Sequence, residues 1–442
     1  MCAERCILVP TTNQLGQDWR LPPSTPHVAL SDEDESYLRG DRGSGAALAM
    51  RVLVAVATSM GAARLVDIES AHVDGCLYVG PVSIDFARAL VDGGAQVSVP
   101  TSLNVGSVDL LHPDNWNGPA EVADNARTLM GLYTALGCRP TWTCAPYLLT
   151  PRPALGAHIA WGESNAIVFA NSVLGARTQR YGDFVDISAA VVGRAPFAGL
   201  HTDEGRLGEV LIDVSGLPDD VVRRGSFFPL LGVLVGQWCG GRVPVVSGLD
   251  SANEDQLKAF GAAAASTGSV ALFHVVGVTP EAPTTAEAFG GRPAQTVHRV
   301  TVEDLRRAWT QLCTRRDGKL AAVCIGTPHF SLAEFRTLAD LLAGRRVHPA
   351  TPLYVNSGRW VYREIQQQGV ADALESSGVR IVTDTCTYNT PILGKVDGLV
   401  MTNSAKWAWY APNNIGVDVV FADLEECVES AIRGEVVGDA PF

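Results

Sequence analysis

Short apolar runs that alternate with amphipathic stretches are the feature that most constrains how this chain can fold. Nine runs bounded by turn residues are typical of buried strands. They span residues 64–68, 96–99, 210–214, 243–246, 270–276, 320–325, 353–355, 380–382 and 417–421. Apolar residues at helical spacing predict helices at 121–137, 302–313, 331–342 and 424–432. This order of elements predicts α/β layers with mostly parallel sheets.

The size and charge of the chain narrow its class further. Its 442 residues exceed what one hydrophobic core usually supports, so several lobes are expected. A net charge of −13 argues against nucleic acid or an anionic membrane as a partner. No apolar run reaches the roughly 18 residues that span a bilayer, and no basic segment precedes an apolar one at the N-terminus. We therefore expect a cytoplasmic protein whose ten cysteines are free thiols, metal ligands or core residues.

The ends of the chain differ in character. Residues 1–28 contain four prolines among scattered polar residues, which predicts a flexible N-terminal tail with Cys2 and Cys6 as incidental residues. Ordered structure is expected from about residue 29, where a serine precedes several acidic residues in a first helical turn. Residues 29–442 are then one multi-lobed domain.

Polar residues follow several of the predicted strands. Segments 69–72, 100–104, 326–329 and 383–386 stand where ligands bind in α/β folds, at the carboxyl ends of strands. Between 141 and 201, small and amide-bearing residues are dense among apolar ones. That composition suits a backbone that approaches a ligand closely, although a buried turn with polar caps explains it equally well.

Several long motifs resemble one known family. Cys-Ala-Pro-Tyr at 144–147, Trp-Gly-Glu-Ser-Asn-Ala at 161–166 and Asn-Ser-Val-Leu-Gly-Ala-Arg-Thr at 171–178 resemble the catalytic domain of aconitase X. The resemblance extends to segments 71–76, 99–104, 326–331, 383–386 and 403–412, and covers roughly residue 30 to the end. It implies an aconitase-like large domain of several α/β lobes that holds an iron–sulfur cluster and dehydrates a small hydroxy acid.

The resemblance also bears on the substrate. Family members act on cis-3-hydroxy-L-proline or on mevalonate 5-phosphate, and Cys76 after Gly75, together with Asn165, is more similar to the hydroxyproline branch. The archaeal branch usually has cysteine at the position of Thr327. The implied reaction is a hydro-lyase step that gives 1-pyrroline-2-carboxylate. A mevalonate 5-phosphate dehydratase is the alternative, with Arg177, Arg180 and Arg194 available for the phosphate.

A second alternative belongs to another functional class. A non-catalytic iron–sulfur or metal-binding module is possible, although a sensor would not need a densely lined pocket. A zinc site built from His72, Cys76 and His329 also stays open. Elemental analysis would separate zinc from iron.

The resemblance implies a set of cluster ligands. Cys144 and Cys386 lie in family motifs and are the expected ligands, with Cys76 as the third. Cys138 and then Cys324 are the reserve candidates, and a [2Fe-2S] cluster is favoured over [3Fe-4S] or [4Fe-4S]. The remaining cysteines lie in helical patterns and are expected in the core: Cys239, Cys313 and Cys427.

The same motifs supply the expected catalytic and substrate-binding residues. His72, Ser164 and Lys406 are the catalytic candidates, and Arg177 or Lys406 is expected to bind the substrate carboxylate. For a lone histidine such as His72, a structural role is equally open. The expected substrate-binding residues are Thr101, Ser102, Asn104, Glu163, Asn165, Asn171, Ser172, Arg177, His329, Asn403 and Ser404.

A partner is implied as well. Enzymes of this type close the site with a small swivelling domain, which in this family contributes a serine as the base. No segment of this sequence resembles that domain. The resemblance therefore predicts a heterodimer with a separate small subunit, which places the principal base outside this chain.

Overall fold

The structure is a computed structural model that describes residues 28–438. The predicted N-terminal tail, apart from Val28, lies outside the described residues, as do Cys2 and Cys6. Three lobes follow one another along the chain, at residues 28–206, 207–313 and 314–438. None of the helices within 28–438 is long and apolar enough to cross a membrane.

The first lobe wraps helices around two small sheets. The first helix is capped by Ser31, which forms a capping box with Asp34, and this agrees with the predicted acidic first turn. At the other end, Gly40 terminates the helix in the left-handed conformation. The helices are α1 (Asp32–Arg39), α2 (Ser44–Ser59), α3 (Pro81–Asp92), α4 (Ala120–Ala135), α5 (Ser164–Phe169) and α6 (Val185–Val192). The strands are β1 (Leu65–Asp67), β2 (Ala71–Val73), β3 (Thr101–Leu103), β4 (Ala160–Trp161) and β5 (Arg194–Pro196).

The sheets of the first lobe differ in direction. Strands β3, β2 and β4 form a parallel sheet in that order, while β1 and β5 pair antiparallel. The parallel strands are short, and polar residues follow each of them. Asp74, Asn104 and Gly162-Glu163 follow β2, β3 and β4 directly. The carboxyl edge of this sheet therefore presents three polar side chains together.

The second lobe is a four-stranded parallel sheet in the order β8-β7-β6-β9. Helices α8 and α9 pack closely against each other through Gly232, Gly236 and Gly268, where a Cβ would collide with the facing helix. The strands are β6 (Val210–Asp213), β7 (Pro244–Ser247), β8 (His274–Val275) and β9 (Thr296–Arg299). The helices are α7 (Asp219–Val222), α8 (Phe227–Cys239), α9 (Glu254–Gly268), α10 (Thr285–Ala288) and α11 (Val302–Leu312).

The third lobe is a five-stranded parallel sheet in the order β12-β11-β10-β13-β14, covered by helices. The three central strands are almost wholly buried, which explains their long apolar runs, whereas the two edge strands each expose one charged residue. They are β10 (Leu320–Ile325), β11 (Leu353–Asn356), β12 (Val379–Val382), β13 (Leu399–Thr402) and β14 (Asp418–Phe421). The helices are α12 (Leu332–Leu342), α13 (Arg359–Gln367), α14 (Val370–Ser376), α15 (Ala405–Asn414) and α16 (Leu424–Arg433).

The predicted α/β class with mostly parallel sheets is confirmed. One strand prediction is wrong, because residues 96–99 are a connecting segment and the strand begins at Thr101. The backbone N–H groups of Val97 and Ser98 donate to Leu136 and Ala190 at the ends of α4 and α6, so they are not available to a sheet. Only His274–Val275 of the predicted run 270–276 is a strand. Strands β2, β4, β5, β9 and β13 were not predicted.

Candidate active site

A cavity of about 330 Å³ lies between the carboxyl edges of the first-lobe and third-lobe parallel sheets. The first lobe contributes the residues after β2, β3 and β4, and the third lobe contributes those after β12 and β13. Its polar lining combines carboxylates, two cations and two thiols. These residues are Asp74, Asn104, Cys144, Glu163, Ser164, Arg180, Tyr181, Asp183, Cys386, Tyr388, Asn389, Lys406, Tyr410 and Asn414.

Cys144, His329 and Cys386 form a buried group of potential metal ligands at this cavity. Their ligand atoms all lie within 4.8 Å of one another. Cys386 follows β12 and His329 follows β10, while Cys144 comes from a first-lobe loop in which the Thr143 N–H donates to Leu103 at the end of β3. The His329 backbone N–H also donates to the Cys144 Sγ, at 3.4 Å. Both lobes are therefore needed to assemble the group.

The side chain of His329 is prepared to bind a cation. Its Nδ1 lies 3.0 Å from the Thr143 hydroxyl, and its buried Nε2 has no hydrogen-bond partner among the described residues. Burial lowers the pKa of His329 to about 4, so the imidazole is neutral at physiological pH. A neutral ring that donates its Nδ1 proton to Thr143 keeps a lone pair on Nε2. An orphaned lone pair beside two thiols is the donor set that a thiophilic metal or an iron–sulfur cluster requires.

The thiols support the same interpretation. Contact with the Cys144 side chain and burial raise the pKa of Cys386 well above its usual value, because two adjacent thiolates repel each other in a dry site. A bound cation would reverse this preference, since thiolate is the ligating form.

The other cysteine candidates lie apart from this group. Cys76 is buried in the first-lobe core, with its Sγ 3.2 Å from the Asn104 carbonyl oxygen and 3.5 Å from that of Val105. Cys138 lies in the same core, and Cys324 lies within β10. In the structure, the third potential donor beside Cys144 and Cys386 is therefore His329 and not Cys76. Cys76 and His72 do not join His329 in a common metal-binding group within residues 28–438.

Glu163 and Lys406 form a buried ion pair across the cavity. Lys406 lies in the first turn of α15, and its ammonium contacts Glu163 Oε1 and lies 3.4 Å from the Ser164 hydroxyl. Glu163 caps α5 through Ala166 N–H at 2.8 Å and also accepts from the Asn165 amide at 2.6 Å. Burial alone would raise the pKa of Glu163. Lys406 and the N–H donors have a larger effect in the opposite direction, so the pKa lies below its usual value. Glu163 is held at φ +65°, a strained conformation of the kind that clusters at functional sites.

A second set of carboxylates lies on the first-lobe side of the cavity. Asp74 accepts a hydrogen bond from the Asn104 amide, and its backbone N–H donates to Asp186 Oδ2 at 2.6 Å. Burial, followed by the charges of Glu163 and Asp183, raises the pKa of Asp74 to about 7. Burial raises the pKa of Asp186 to about 8. This part of the wall is therefore acidic and only partly ionised at neutral pH.

Several predicted site residues lie in or against the cavity wall. Asn104, Glu163, Ser164 and Lys406 line it. Asn165 is buried behind Glu163, where its amide donates to the Cys144 carbonyl and its oxygen accepts from the Tyr147 hydroxyl. It therefore positions the Cys144 loop.

Other predicted residues have structural contacts elsewhere. Asn171 and Ser172 tie the turn after α5 to Thr178, Ala271 and Phe273. Arg177 donates to the His201 carbonyl and the Asp203 carboxylate outside the cavity.

The remaining predicted residues lie at neighbouring sites. The buried His72 Nδ1 lies 2.8 Å from the Ser102 hydroxyl, and burial lowers the pKa of His72 to about 3. Thr101 and Ser102 line a separate depression at the opposite edge of the first-lobe sheet. Asn403 and Ser404 line a small pocket behind Lys406, where Ser404 caps α15.

Sequence reasoning missed some of the cavity residues. Asp74 lies inside the motif segment 71–76, which assigns it no role, and Asp183 and Asp186 lie outside the recognisable motifs. Asp186 could have been found, because it is the one charged residue in helix α6, whose other residues are apolar except for Ser188. The sequence indicates Arg180 only as a possible phosphate ligand. Tyr388 could have been found from its position two residues after Cys386.

Comparisons with known proteins agree with this architecture. The Aconitase X first, second and third domains match residues 27–204, 208–310 and 320–433. The chain is 45% identical to cis-3-hydroxy-L-proline dehydratase of Pseudomonas aeruginosa, over 92% of this chain and 70% of that protein. It is 36% identical to the phosphomevalonate dehydratase large subunit of Thermococcus kodakarensis, over 91% of this chain and 99% of that protein.

The fold matches a solved structure of the same kind. The crystal structure of holo-form aconitase X from Thermococcus kodakaraensis superimposes with a TM-score of 0.82 at 34% identity, covering 91% of this chain and 100% of that one. These relatives are named as dehydratases, which are hydro-lyases. With three family domains in order along almost its whole length, the chain belongs to the aconitase X family.

Proposed function

We propose that this protein is a hydro-lyase that removes water from cis-3-hydroxy-L-proline to give 1-pyrroline-2-carboxylate. The observation that carries the proposal is the buried Cys144–His329–Cys386 group, which opens on a cavity lined by charged side chains. A non-catalytic metal module would need the three ligands alone. Here a strained Glu163 and a buried Lys406 accompany the ligands, at the energetic cost of desolvating two charges.

The proposed cofactor is an iron–sulfur cluster held by Cys144, His329 and Cys386, with [2Fe-2S] favoured. Two thiolates and a neutral imidazole are suitable donors, and the free His329 Nε2 supports this ligand set. When bound, such a cluster supplies Lewis-acid chemistry that stabilises the departing hydroxyl group.

Residues of this chain position the substrate and determine how much negative charge the cavity can accept. Arg180 lines the cavity and makes no hydrogen bond or ion pair within residues 28–438, so it is free to bind the substrate carboxylate. Lys406 keeps Ser164 and Glu163 in place through its contacts with both. The dehydration also needs a base for the Cα proton, and we assign that base to a separate small subunit.

The cations around the cavity favour hydroxyproline over mevalonate 5-phosphate. A phosphate needs several positively charged donors, but of the lining cations Lys406 is already paired with Glu163. Arg177 pairs with Asp203 and Arg194 pairs with Asp67, both away from the cavity. The identities of 45% and 41% to two hydroxyproline dehydratases, from Pseudomonas aeruginosa and Hypocrea jecorina, point the same way.

We further propose a heterodimer in the cytoplasm. The archaeal relatives that this chain matches over 97–99% of their length are named as large subunits, which implies a small partner for them. Because the chain matches these phosphomevalonate dehydratase subunits over almost their whole length, mevalonate 5-phosphate stays the second candidate substrate. All eight cysteines among residues 28–438 are free thiols, as expected in a reducing compartment.

Anaerobic turnover tests the proposal. The chain is reconstituted with iron and sulfide and given cis-3-hydroxy-L-proline or mevalonate 5-phosphate, with and without a small subunit of the family. We expect imine formation from hydroxyproline that requires iron and the small subunit and is lost in Cys386→Ala. Product from mevalonate 5-phosphate alone, or none from either substrate with a full cluster, would overturn it. Full turnover without the small subunit would contradict only the proposed heterodimer and would leave the proposed reaction intact.

A further inference from the structure

The acidic side of the cavity has carboxyl groups that form no ion pair with a cation of the described residues. Asp74 and Asp183 line the cavity, and neither forms an ion pair with a cation of residues 28–438. The nearby Lys406 is engaged by Glu163. Asp186 lies directly behind Asp74 and adds a further carboxyl group rather than a counter-charge. A ligand that carries positive charge would therefore be stabilised at this wall.

Asn104 provides a second and independent indication of a ligand at the same place. Its side chain lines the cavity and is only 3% exposed. The amide Nδ2 donates to Asp74 Oδ1, which leaves the buried Asn104 Oδ1 with no hydrogen-bond partner among the described residues. A buried acceptor without a partner is costly, so the site is incomplete until a donor arrives.

We propose that Asp74 and Asn104 form the subsite for the secondary ammonium group of an imino-acid substrate. A secondary ammonium has two N–H groups, which match the two acceptors: the Asp74 carboxylate and the Asn104 Oδ1. This inference rests on the proposed function, because it assumes a cyclic imino acid in the cavity. Arg180 then receives the carboxylate of the same molecule.

A metal ion is a poorer occupant of this subsite. Within residues 28–438, Cys144–His329–Cys386 is the only set of three ligand groups that converge within 4.8 Å, so the carboxylates do not form a cage. Gly162 shapes the subsite, since a Cβ there would lie 2.6 Å from Asp186 Oδ2 and 3.0 Å from the Asp74 Cβ. The local backbone is therefore built to bring these acids together.

The subsite predicts that ligand binding is linked to proton release. Asp74 is faced by Asp186 and Asp183 from α6 and the segment before it, by Glu163 and Lys406 across the cavity, and by the Asn104 amide. Burial and the two acidic neighbours raise the pKa of Asp74 to about 7, so part of the population is protonated at neutral pH. An ammonium ligand favours the ionised form. Binding should therefore strengthen as the pH rises through about 7 and release a proton below it.

Calorimetric binding to the reconstituted protein tests the subsite without turnover. L-proline keeps the ammonium but lacks the 3-hydroxyl group, and (S)-tetrahydrofuran-2-carboxylate replaces the ammonium with a ring oxygen. We expect L-proline to bind about tenfold or more tightly than the oxygen analogue at about pH 8, a preference typical of a charged hydrogen bond. Titration in buffers of different ionisation enthalpy should show proton release at about pH 6.5 with L-proline only.

Two variants and one control make the test specific. Asp74→Asn should abolish both the preference for L-proline and the proton release. Asn104→Ser should reduce the preference for L-proline and keep the proton release. This second variant still tests the subsite if Asp74→Asn does not fold. Asp219→Asn, on an exposed residue 86% open to solvent, should behave as wild type.

The possible failures are distinguishable. Equal binding of the two ligands to the wild-type protein, or an unchanged preference in Asp74→Asn, would overturn the subsite even where cis-3-hydroxy-L-proline is turned over. Loss of turnover with a retained, Asp74-dependent preference for L-proline would instead overturn only the assigned reaction.

Discussion

Lys406 and Glu163 form an ion pair that joins the third lobe to the first, with both side chains almost wholly buried (5% and 7% exposed). Glu163 follows the short strand β4 after Gly162 and caps α5, while Lys406 lies in the first turn of α15. Burial lowers the pKa of Lys406, but the Glu163 carboxylate raises it well above its usual value. Each charge is therefore kept in the interior by the other.

Removing one member of this pair should destabilise the protein strongly. Lys406→Met leaves the Glu163 carboxylate buried without a counter-charge, so we expect a loss of about 3–5 kcal/mol in the free energy of unfolding. The double variant Glu163→Gln/Lys406→Met should lose clearly less, because no unpaired charge remains. Urea denaturation measures both. Lys319→Met, at an exposed pair with Asp397, is the control and should change stability by less than about 1 kcal/mol. Equal losses in the single and double variants would contradict an energetically coupled pair.

The proposed metal ligands predict which substitutions remove iron. Cys144→Ala, His329→Ala and Cys386→Ala should each weaken iron binding by at least about tenfold, since the loss of a direct ligand exceeds the effect of an outer partner. Iron analysis and visible absorbance after anaerobic reconstitution measure this. Cys76→Ala is the matched control, because its thiol contacts backbone carbonyls in the first-lobe core. Full iron content in His329→Ala, or its loss in Cys76→Ala, would show that the third ligand is assigned wrongly.

The close approach at Gly162 should not tolerate a side chain. Gly162→Ala places a Cβ 2.6 Å from Asp186 Oδ2, so the cavity wall must shift at an expected cost of about 1–3 kcal/mol. Thermal denaturation gives the change in stability. The control is Gly131→Ala in helix α4, where a Cβ meets nothing within 4 Å, and it should be stabilising by about 0.5–1 kcal/mol. A neutral Gly162→Ala would mean that this wall adapts freely.

The two arginines of the segment 177–180 should differ in their effect on substrate binding. Arg180 lines the cavity, whereas Arg177 is held by Asp203 and the His201 carbonyl outside it. We expect Arg180→Ala to raise KM by about tenfold or more through the loss of a charge-assisted hydrogen bond. Arg177→Ala should change KM by less than about twofold. Steady-state kinetics of the reconstituted chain with the proposed small subunit measure both values. The opposite ranking would show that Arg177 binds the substrate carboxylate.

The local sequence was sufficient for elements whose side chains are buried on both faces or along one stripe. Strand β10 is a continuous apolar run, β11 is apolar up to its last residue, and α11 and α12 carry capping boxes at Thr301 and Ser331. Strands of two or three residues such as β2 and β4 were missed, because so few residues give no periodicity. The prediction of a strand at 96–99 is wrong, because N–H groups of this run donate to the ends of two helices distant in the sequence. A local sequence pattern contains no information about those partners.

At the site, the sequence by itself determined the family, through motifs that also contain Cys144, Cys386, Glu163 and Lys406. Only the tertiary structure decided which residues meet. His329 lies 185 residues from Cys144, yet its backbone N–H reaches the Cys144 Sγ, whereas Cys76 points into a core. The tertiary structure also places Arg180 and Asp74 at the cavity and Arg177 outside it. The physical reason is that ligation and charge pairing depend on distances of a few ångströms between strand ends of different lobes, and those distances are set by how the sheets pack rather than by spacing along the chain.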